Sequence, residues 1–516
     1  MNARRILTST LAAVATLASA YAQPGTIPMT PHLDAPLVAT QLVVPEKFQG
    51  LIEPGHTLYL PAGWTAKVFY MGGSLNAPRF MTWGPNGDLY VSSPGSSQVL
   101  ALPDRNHDGI ADTAIVAATG VSGHDVRFYN GAMYVAETNR VVKLTDTDAD
   151  GIYETHVDFI TGITDDAANP TGGHSTRTIV FDSVNQKMYL SIGSSCNVCR
   201  DEGRARIEQF NIDGTGGRLY ADGIRNAVGM TLHPRTGRLW ATNNGNDMLG
   251  NDLPAEWIDL VRDGGFYGWP FAHSYQYYND FTRGADYQAL LPITAADSAR
   301  VRTMVSPGAL VQAHSALMAI EFPNSDAFPE GYRRGAFIAS RGSWNRNPQT
   351  GSKIMYLDFD GDNDTVANTV SDFLTGFLLD SAGNRWARPV GLASDNRGNL
   401  YVSSDANTNF VLVISPSAAS SVPSDAETSG FTLGAAYPNP SRGETTVRFT
   451  LPRPSTVSMR VLDLLGKEVM TVARDRHFEA GEGSITFDVR NLPSGTYIYS
   501  ISDGTTVRTD RMQVVR

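Results

Sequence analysis

Cysteine is nearly absent: Cys196 and Cys199 are the only two in 516 residues, so no disulfide framework holds this chain together. Charge is sparse and leans acidic, with 18% charged residues, 52 acidic against 41 basic, and a formal charge of −11. A nucleic-acid binder would show a basic patch or stripe, so the balance argues against such a partner. Long apolar runs are missing beyond the first twenty or so residues, so no transmembrane segment is expected in the mature chain. What is plentiful is apolar content, at 41%, and glycine, at 49 residues. The first excludes bulk disorder; the second suits a chain with many turns. The length exceeds one ordinary domain but fits a propeller or barrel with an extra module.

The two ends read as addresses. Arg4 and Arg5 precede an apolar run from Ile6 to Ala18, and Ala20-Tyr21-Ala22 places small residues at the cleavage positions. Residues 1–22 are therefore expected to be a signal peptide, followed by an N-terminal segment over 23–50. Beyond Pro416 the chain turns small and polar, SAASSVPSDAETSG, which is linker composition, placed at 417–432. Tyr437-Pro438-Asn439-Pro440 then opens a series of short alternating strands, with a turn at Leu464-Leu465-Gly466-Lys467 and a bend at Leu492-Pro493-Ser494-Gly495. That pattern predicts a small immunoglobulin-like β-sandwich over 433–516. This tail resembles the type A C-terminal sorting domain of the type IX secretion system. The resemblance implies the type IX machinery as partner and a secreted or outer-membrane cell-surface location.

The middle of the chain repeats. MTWGPNGDLYVSS, VRFYNGAMYVAE, IVFDSVNQKMYLSIG, MTLHPRTGRLWATNN and GLASDNRGNLYVSSD each join an alternating apolar strand, a polar turn and a second strand carrying an aromatic residue. A longer copy is MAIEFPNSDAFPEGYRRGAFIAS. The aromatics are Tyr90, Tyr134, Tyr189, Trp240, Phe337 and Tyr401, mostly spaced as in four-stranded blades, with one long gap after Trp240. An all-β fold is predicted: a six-bladed β-propeller over 51–416, followed by the sandwich. TLYLPAGWTAKVFYMG is expected to add a strand to the last blade and close the ring.

Function must come from residues at the channel, since a propeller alone is a scaffold. Gly172-Gly173-His174-Ser175-Thr176-Arg177 precedes a blade strand, and an imidazole there has the pKa range of a general base; the plainer reading is a structural hydrogen-bonder. Asp222-Gly223-Ile224-Arg225-Asn226 also precedes a blade strand. A guanidinium offers a planar fork for carboxylates and polarised oxygens, or simply an interblade ion pair. Asn243-Asn244-Gly245-Asn246-Asp247 supplies oxygens suited to a hard cation, or a turn with local side-chain bonds.

Together with IGSSCNVC, HPRTGRLWATNNG and DLVRDGGFYGWP, these stretches resemble the soluble pyrroloquinoline-quinone (PQQ) sugar dehydrogenases, most closely the sorbosone dehydrogenase branch. The resemblance implies that His174 takes the proton of the sugar hydroxyl and that Arg225 and Asn226 contact the cofactor. It implies that Gly245 and Asn246 hold a catalytic calcium through backbone carbonyls. Arg388 falls where the family has a cofactor-carboxylate arginine, and Arg341 lies near a further basic residue. The cofactors implied are PQQ and calcium, with a small sugar or aldehyde as substrate and an external electron acceptor. Gly173 and Ser195 stand where the glucose-oxidising branch has an acidic residue and a glutamine, which disfavours glucose itself.

Other residues extend the reading. Cys196 and Cys199 fit a zinc half-site, a redox pair or a disulfide-closed loop; two cysteines cannot make a four-cysteine zinc site, and export favours the disulfide. The stretch with Asp104, Asn106, Asp108 and Asp112, and that with Asp146, Asp148, Asp150 and Glu154, resemble nine-residue structural calcium loops. Ile115 and Val157 occupy the position an EF-hand reserves for glutamate, and plain acidic turns are the other reading. His124 and His314 also sit at blade-strand entrances and are candidate pocket residues. The competing functions are a calcium-dependent propeller lactonase or hydrolase, and a propeller that binds glycans or proteins without catalysis.

Overall fold

The computed structural model describes residues 27–53, 55–164, 173–417, 431–434, 436–463, 468–503 and 507–516. The expected signal peptide, Gly172, most of the linker and the 464–467 turn lie outside these residues. The chain divides into two compact units, up to Ser417 and from Ala418 onward. No helix among the described residues is long and apolar enough to cross a membrane.

In the first unit, an alternating apolar strand, a tight turn and a second strand recur because each sheet is covered on both faces. The first strands of six sheets are Met81–Trp83, Asp125–Tyr129, Ile179–Asp182, Met230–Leu232, Leu317–Glu321 and Pro389–Ser394. Each lies against the next in chain order, and the sixth lies against the first, so they form a closed ring. The second strands are Leu89–Ser93, Ala132–Ala136, Lys187–Ile192, Leu239–Asn243, Ala336–Ser340 and Leu400–Ser404. They carry the six aromatic anchors, all buried. Gly87, in the turn between the first sheet's opening strands, has φ +81°, a left-handed conformation that favours glycine.

Apolar clusters fill the spaces between neighbouring sheets. Tyr90, Val99 and Ala101 of the first sheet pack with Val126, Met133 and Val142 of the second. Phe69, Tyr401 and Val413 of the sixth pack with Met81, Leu89 and Leu100 of the first. Such face-to-face packing of sheets around an axis is a β-propeller.

Closure comes from the N-terminal side. Trp64–Met71 pairs antiparallel with Phe410–Pro416, from Trp64 opposite Pro416 to Met71 opposite Phe410. This completes the sixth sheet and ties together residues far apart in sequence. The segment before residue 51 also takes part, which sequence patterning did not show. Leu42 and Val43 pair parallel with the closing strand, and His32–Leu33 adds to the fifth sheet beside Val370 and Ser371.

The long gap after Trp240 is an excursion between the third and fourth strands of the fourth sheet, Glu256–Leu260 and Ala309–Val311. It contains a small hairpin, Ala272–His273 with Tyr277–Tyr278, and the helices Ala285–Gln288 and Ala295–Arg302. The second helix starts at a capping box: the Thr294 hydroxyl accepts from the Asp297 amide, and the Asp297 carboxylate accepts from the Thr294 amide. Phe271, Phe281, Tyr287, Leu290, Val301 and Met304 form a separate core there.

The second unit has a three-stranded sheet of Thr432–Leu433, Glu444–Leu451 and Gly481–Asp488. A four-stranded sheet of Glu468–Phe478, Ser455–Leu462, Gly495–Ser502 and Val507–Val514 accompanies it. Val447, Phe449, Ile485, Val457, Met459 and Tyr499 share one buried core, so the two sheets make a β-sandwich.

Candidate active site

A blade of four antiparallel strands ends on the face where its first strand began. The chain therefore enters every inner strand from one face of the ring, and side chains just before those strands converge on one channel mouth. Those positions hold Arg79, His124, His174, Arg225, His314 and Arg388. Each blade brings one basic or imidazole side chain. Arg79 was not among the sequence candidates, although its place before Met81–Trp83 matches that of Arg388 before Pro389–Ser394.

His174 and Arg225 stand on neighbouring blades and are joined through Ser194. The His174 Nδ1 donates to Ser194 O at 3.0 Å and lies 3.0 Å from Ser194 Oγ, while the Ser194 amide donates to Arg225 O at 2.7 Å. This bond fixes the tautomer, leaving Nε2 as the unprotonated nitrogen. Arg177 Nη1 and Arg204 Nη2 both donate to His174 O, at 2.7 and 2.6 Å, and pin its backbone. Gly193 is required beside it: a Cβ there would lie 2.6 Å from both Asn226 Oδ1 and His174 Cβ. Burial, reinforced by the Arg225 and Arg177 charges, pushes the His174 pKa down to about 3, against the opposing hydrogen bond to Ser194. The imidazole is therefore neutral at physiological pH, with a free Nε2 that is weakly basic.

The Arg225 guanidinium is fully engaged by protein oxygens. Nε donates to Asn197 O at 3.1 Å, Nη1 to Gly245 O at 2.6 Å, and Nη2 to Asn197 Oδ1 and Asp247 Oδ2, both at 3.0 Å. Asn226 is buried, its amide donating to Asn243 Oδ1 at 2.9 Å. Glu256 backs this segment, accepting from the Gly245 amide at 2.6 Å, and burial pushes its carboxyl up to about 7. Gly245 O thus serves the guanidinium here. Asp247 beside it offers carboxylate and carbonyl oxygens, the donor type a hard cation takes, and these accept here from Arg225, Asn345, Asn197 and Tyr287.

Across the mouth lies a second group. Asp405, almost wholly buried, accepts from Arg79 Nη1, and from Arg341 Nε at 2.8 and 3.0 Å. Arg388 donates through Nε to Arg341 O at 3.0 Å and through Nη2 to Gly342 O at 2.6 Å. Arg385 donates to Ser343 O at 3.2 Å and to Gln349. Burial, with Arg341 and Arg385 nearby, lowers the Arg388 pKa to about 10. Among the described residues, Asp405 is the one carboxylate bonded to any of these four guanidiniums. Four positive charges and one negative leave an excess of three, an arrangement suited to a polyanionic ligand.

His124 belongs to this second group. Its Nδ1 accepts from Arg79 Nε at 3.0 Å and its ring lies 4.2 Å from Phe80. Burial and the charges of Arg79 and Arg127 hold its pKa well below the usual value. His314 is turned to the first group: its Nε2 donates to Gly250 O at 2.8 Å, with Nδ1 3.9 Å from Asp247 Oδ1.

Cys196 and Cys199 are disulfide-bonded, with Cα atoms 6.2 Å apart, on the loop that carries Ser194. The acidic stretches stand away from the mouth, between outer strands. In one, Asp104 accepts from the Asp108 and Gly109 amides, Asn106 from that of Asp108, and Asp112 from that of Arg105. In the other, Asp146 accepts from the Ala149 and Gly151 amides and Glu154 from that of Thr147. Asp146, Asp148 and Asp150 can each place an oxygen within 4.8 Å of the others. Asp405 and Arg385 were missed because no local pattern marks them; Asp247 and Asn197 lay within motifs read from the sequence, but their roles as partners of Arg225 were not.

The protein belongs to the TrAA12-like family, whose model matches residues 58–417. The PQQ-dependent sugar dehydrogenase of Hypocrea jecorina is 25% identical over 413 residues, spanning 69% of this chain and 89% of that protein. The chain is thus related to oxidoreductases that act on sugar hydroxyl groups. Among solved structures, the calcium structure of the Trichoderma reesei family AA12 enzyme superposes with a TM-score of 0.59 at 22% identity, covering 71% of this chain and 99% of that one. The holo PQQ domain of pyranose dehydrogenase from Coprinopsis cinerea gives 0.58 at 22%, covering 72% and 100%. These two likenesses speak to the fold. Residues 435–515 match a secretion system C-terminal sorting domain, the mark of export to the medium or cell surface.

Proposed function

We propose that the protein is a secreted PQQ- and calcium-dependent sugar dehydrogenase of the sorbosone type, acting on an aldose or an aldehyde-bearing sugar. The observation that carries this reading is the pairing, at one channel mouth, of a neutral, half-buried imidazole with an excess of three guanidinium charges. PQQ is a flat tricarboxylate, so that excess matches its charge, and Arg79, Arg341, Arg385 and Arg388 would hold it. When bound, PQQ would supply the two-electron acceptor for the hydride leaving the sugar carbon, with calcium polarising the quinone.

The chain's own residues do the rest. His174 Nε2 accepts the proton of the substrate hydroxyl, while Nδ1–H keeps its bond to Ser194 O. Ser194 and the two arginines on the His174 carbonyl hold the ring so that no reorientation accompanies proton transfer. Arg225 places a fixed positive charge beside the imidazole and, with its N–H groups taken by protein oxygens, would favour negative charge on a bound quinone through its field alone. Asn246 and Asp247 would supply oxygens for calcium, and Gly245 O would join them by exchanging its bond to Arg225 Nη1. An external acceptor would take the electrons.

The test is to add PQQ and Ca²⁺ to purified apoprotein and follow dye reduction with a panel of aldoses and aldehyde sugars. Turnover that requires PQQ and disappears in His174→Ala supports the reading. Protein that takes up no PQQ refutes it, and hydrolysis of lactones without PQQ would favour a hydrolase on the same scaffold.

A further inference from the structure

One short loop touches both halves of the proposed proton and charge machinery. Ser194 carries His174, and its Oγ donates to Cys196 O at 2.7 Å. The next residue, Asn197, uses every polar atom of its side chain and its carbonyl on the Arg225 side. Its Oδ1 accepts from Arg225 Nη2 at 3.0 Å and from the Asp247 amide at 2.8 Å; its Nδ2 donates to Asp247 O at 3.2 Å. Its carbonyl accepts from Arg225 Nε at 3.1 Å and from Trp269 Nε1 at 3.1 Å.

Three anchors hold the loop in this shape. The Cys196–Cys199 disulfide closes it across Asn197. Val198 is buried among Leu249 and, from the inserted excursion, Phe266 and Phe271. The Ser195 amide donates to Asp201 Oδ2 at 2.6 Å.

We infer that Asn197, held by the Cys196–Cys199 disulfide, is the positioning residue for Arg225. It fixes the guanidinium against Asp247 and in register with His174, and thereby sets how tightly the anionic cofactor binds and how well its reduction is supported. The chemistry favours asparagine. The site needs one side-chain oxygen that accepts twice and one N–H that donates to Asp247 O. Aspartate keeps the first and lacks the second, and alanine has neither. A buried guanidinium loses more from a missing acceptor than a neutral donor does, because charge-assisted bonds are the stronger ones. The disulfide preserves the backbone shape that aims the Asn197 carbonyl, so its loss should weaken the same two contacts. The cofactor part of this inference rests on the function proposed above; the clamp itself rests on the hydrogen bonds alone.

The experiment compares full-length wild type with Asn197→Ala, Asn197→Asp and the double variant Cys196→Ser/Cys199→Ser. Three readouts are taken: amide hydrogen exchange over residues 243–250, PQQ affinity by absorbance titration with Ca²⁺ present, and the split between kcat and KM. For Asn197→Ala, exchange at Asp247 quickens on the order of tenfold, the loss of one hydrogen bond, and PQQ Kd rises as the Arg225 charge shifts. Its kcat falls while KM for the sugar holds, and the unfolding midpoint falls only by the loss of these local bonds. Asn197→Asp recovers part of the PQQ affinity, and the double serine variant follows Asn197→Ala. Unchanged exchange at Asp247 in Asn197→Ala overturns the inference. So does a loss of PQQ affinity accompanied by a matching general loss of stability. Wild-type protein that takes no PQQ defeats the quinone reading only, and the exchange result then still decides for or against the clamp.

Discussion

Asp405 is the sharpest place to perturb the molecule. Its carboxylate, 5% exposed, is the shared acceptor for Arg79 and Arg341. Removing one partner of a buried ion pair leaves uncompensated charge and typically costs about 3–5 kcal/mol. Asp405→Asn keeps the volume and removes the charge, so four guanidiniums face one another across the mouth with no carboxylate bonded to them. The apoprotein should lose about 3–5 kcal/mol of stability, read by urea unfolding. Tryptophan fluorescence is a clean probe, since all seven tryptophans lie before Ser417, within the propeller unit. A tricarboxylate ligand should restore much of the loss, because it supplies the missing negative charge. A ligand at about 100 times its Kd stabilises by about 2.7 kcal/mol, and the variant should gain more than wild type from the same PQQ concentration. A variant as stable as wild type, or a gap that PQQ leaves unchanged, would refute the idea that these arginines form an anion site balanced by Asp405.

Further outcomes are expected. His174→Gln should lower kcat by about 10²–10⁴-fold, the usual contribution of general-base catalysis, with PQQ affinity retained; a smaller fall would remove His174 from the reaction. The His174 pKa of about 3 against an ordinary 6.5 means the unfolded chain binds the extra proton first as pH falls. Stability should therefore decline as pH is lowered from 6.5 towards 3, and His174→Gln should lose that component of the pH profile. Gly193→Ala would place a Cβ 2.6 Å from Asn226 Oδ1 and His174 Cβ; it should cost about 1–3 kcal/mol of stability and at least tenfold in kcat, whereas normal kinetics would show that the close approach is dispensable. A chain ending at Ser417 should keep the urea midpoint of the full protein, because each unit has its own core; a lower midpoint would show that the sandwich supports the propeller.

Much of the ring was legible because its signal is local. Each blade repeats strand, polar turn and strand, and a buried aromatic such as Tyr90 or Trp240 marks the second strand of every copy. The closing strand Trp64–Met71 was legible for the same reason, as an alternating segment without a partner nearby. The pairing of Leu42 and Val43 beside it was not, since parallel addition of two residues leaves no periodic trace. At the mouth, His174, Arg225 and Arg388 stood out because motifs surround them. Arg79 lies in NAPRFMTW, which resembles nothing on its own. Its place becomes evident only when the six inner strands are aligned and one imidazole or guanidinium is found before each. Asp405 and Asp247 act through partners more than sixty and about twenty residues away, Arg341 and Arg225; such pairings arise from the packing of strand ends at the mouth, and the bond from Arg79 to Asp405 from closure of the ring. Gly245 was expected to present its carbonyl to a metal, and the Arg225 guanidinium holds it instead, a competition between cation and side chain that no spacing reveals.

The most direct test of the central claim is equilibrium titration of the purified apoprotein with PQQ and Ca²⁺, alongside Arg388→Ala and His174→Gln. One quinone should bind per chain; Arg388→Ala should weaken that binding at least tenfold, and His174→Gln should bind normally yet fail to reduce dye with sugar present. A propeller that leaves PQQ free in solution, or a His174→Gln variant that turns over like wild type, would contradict it.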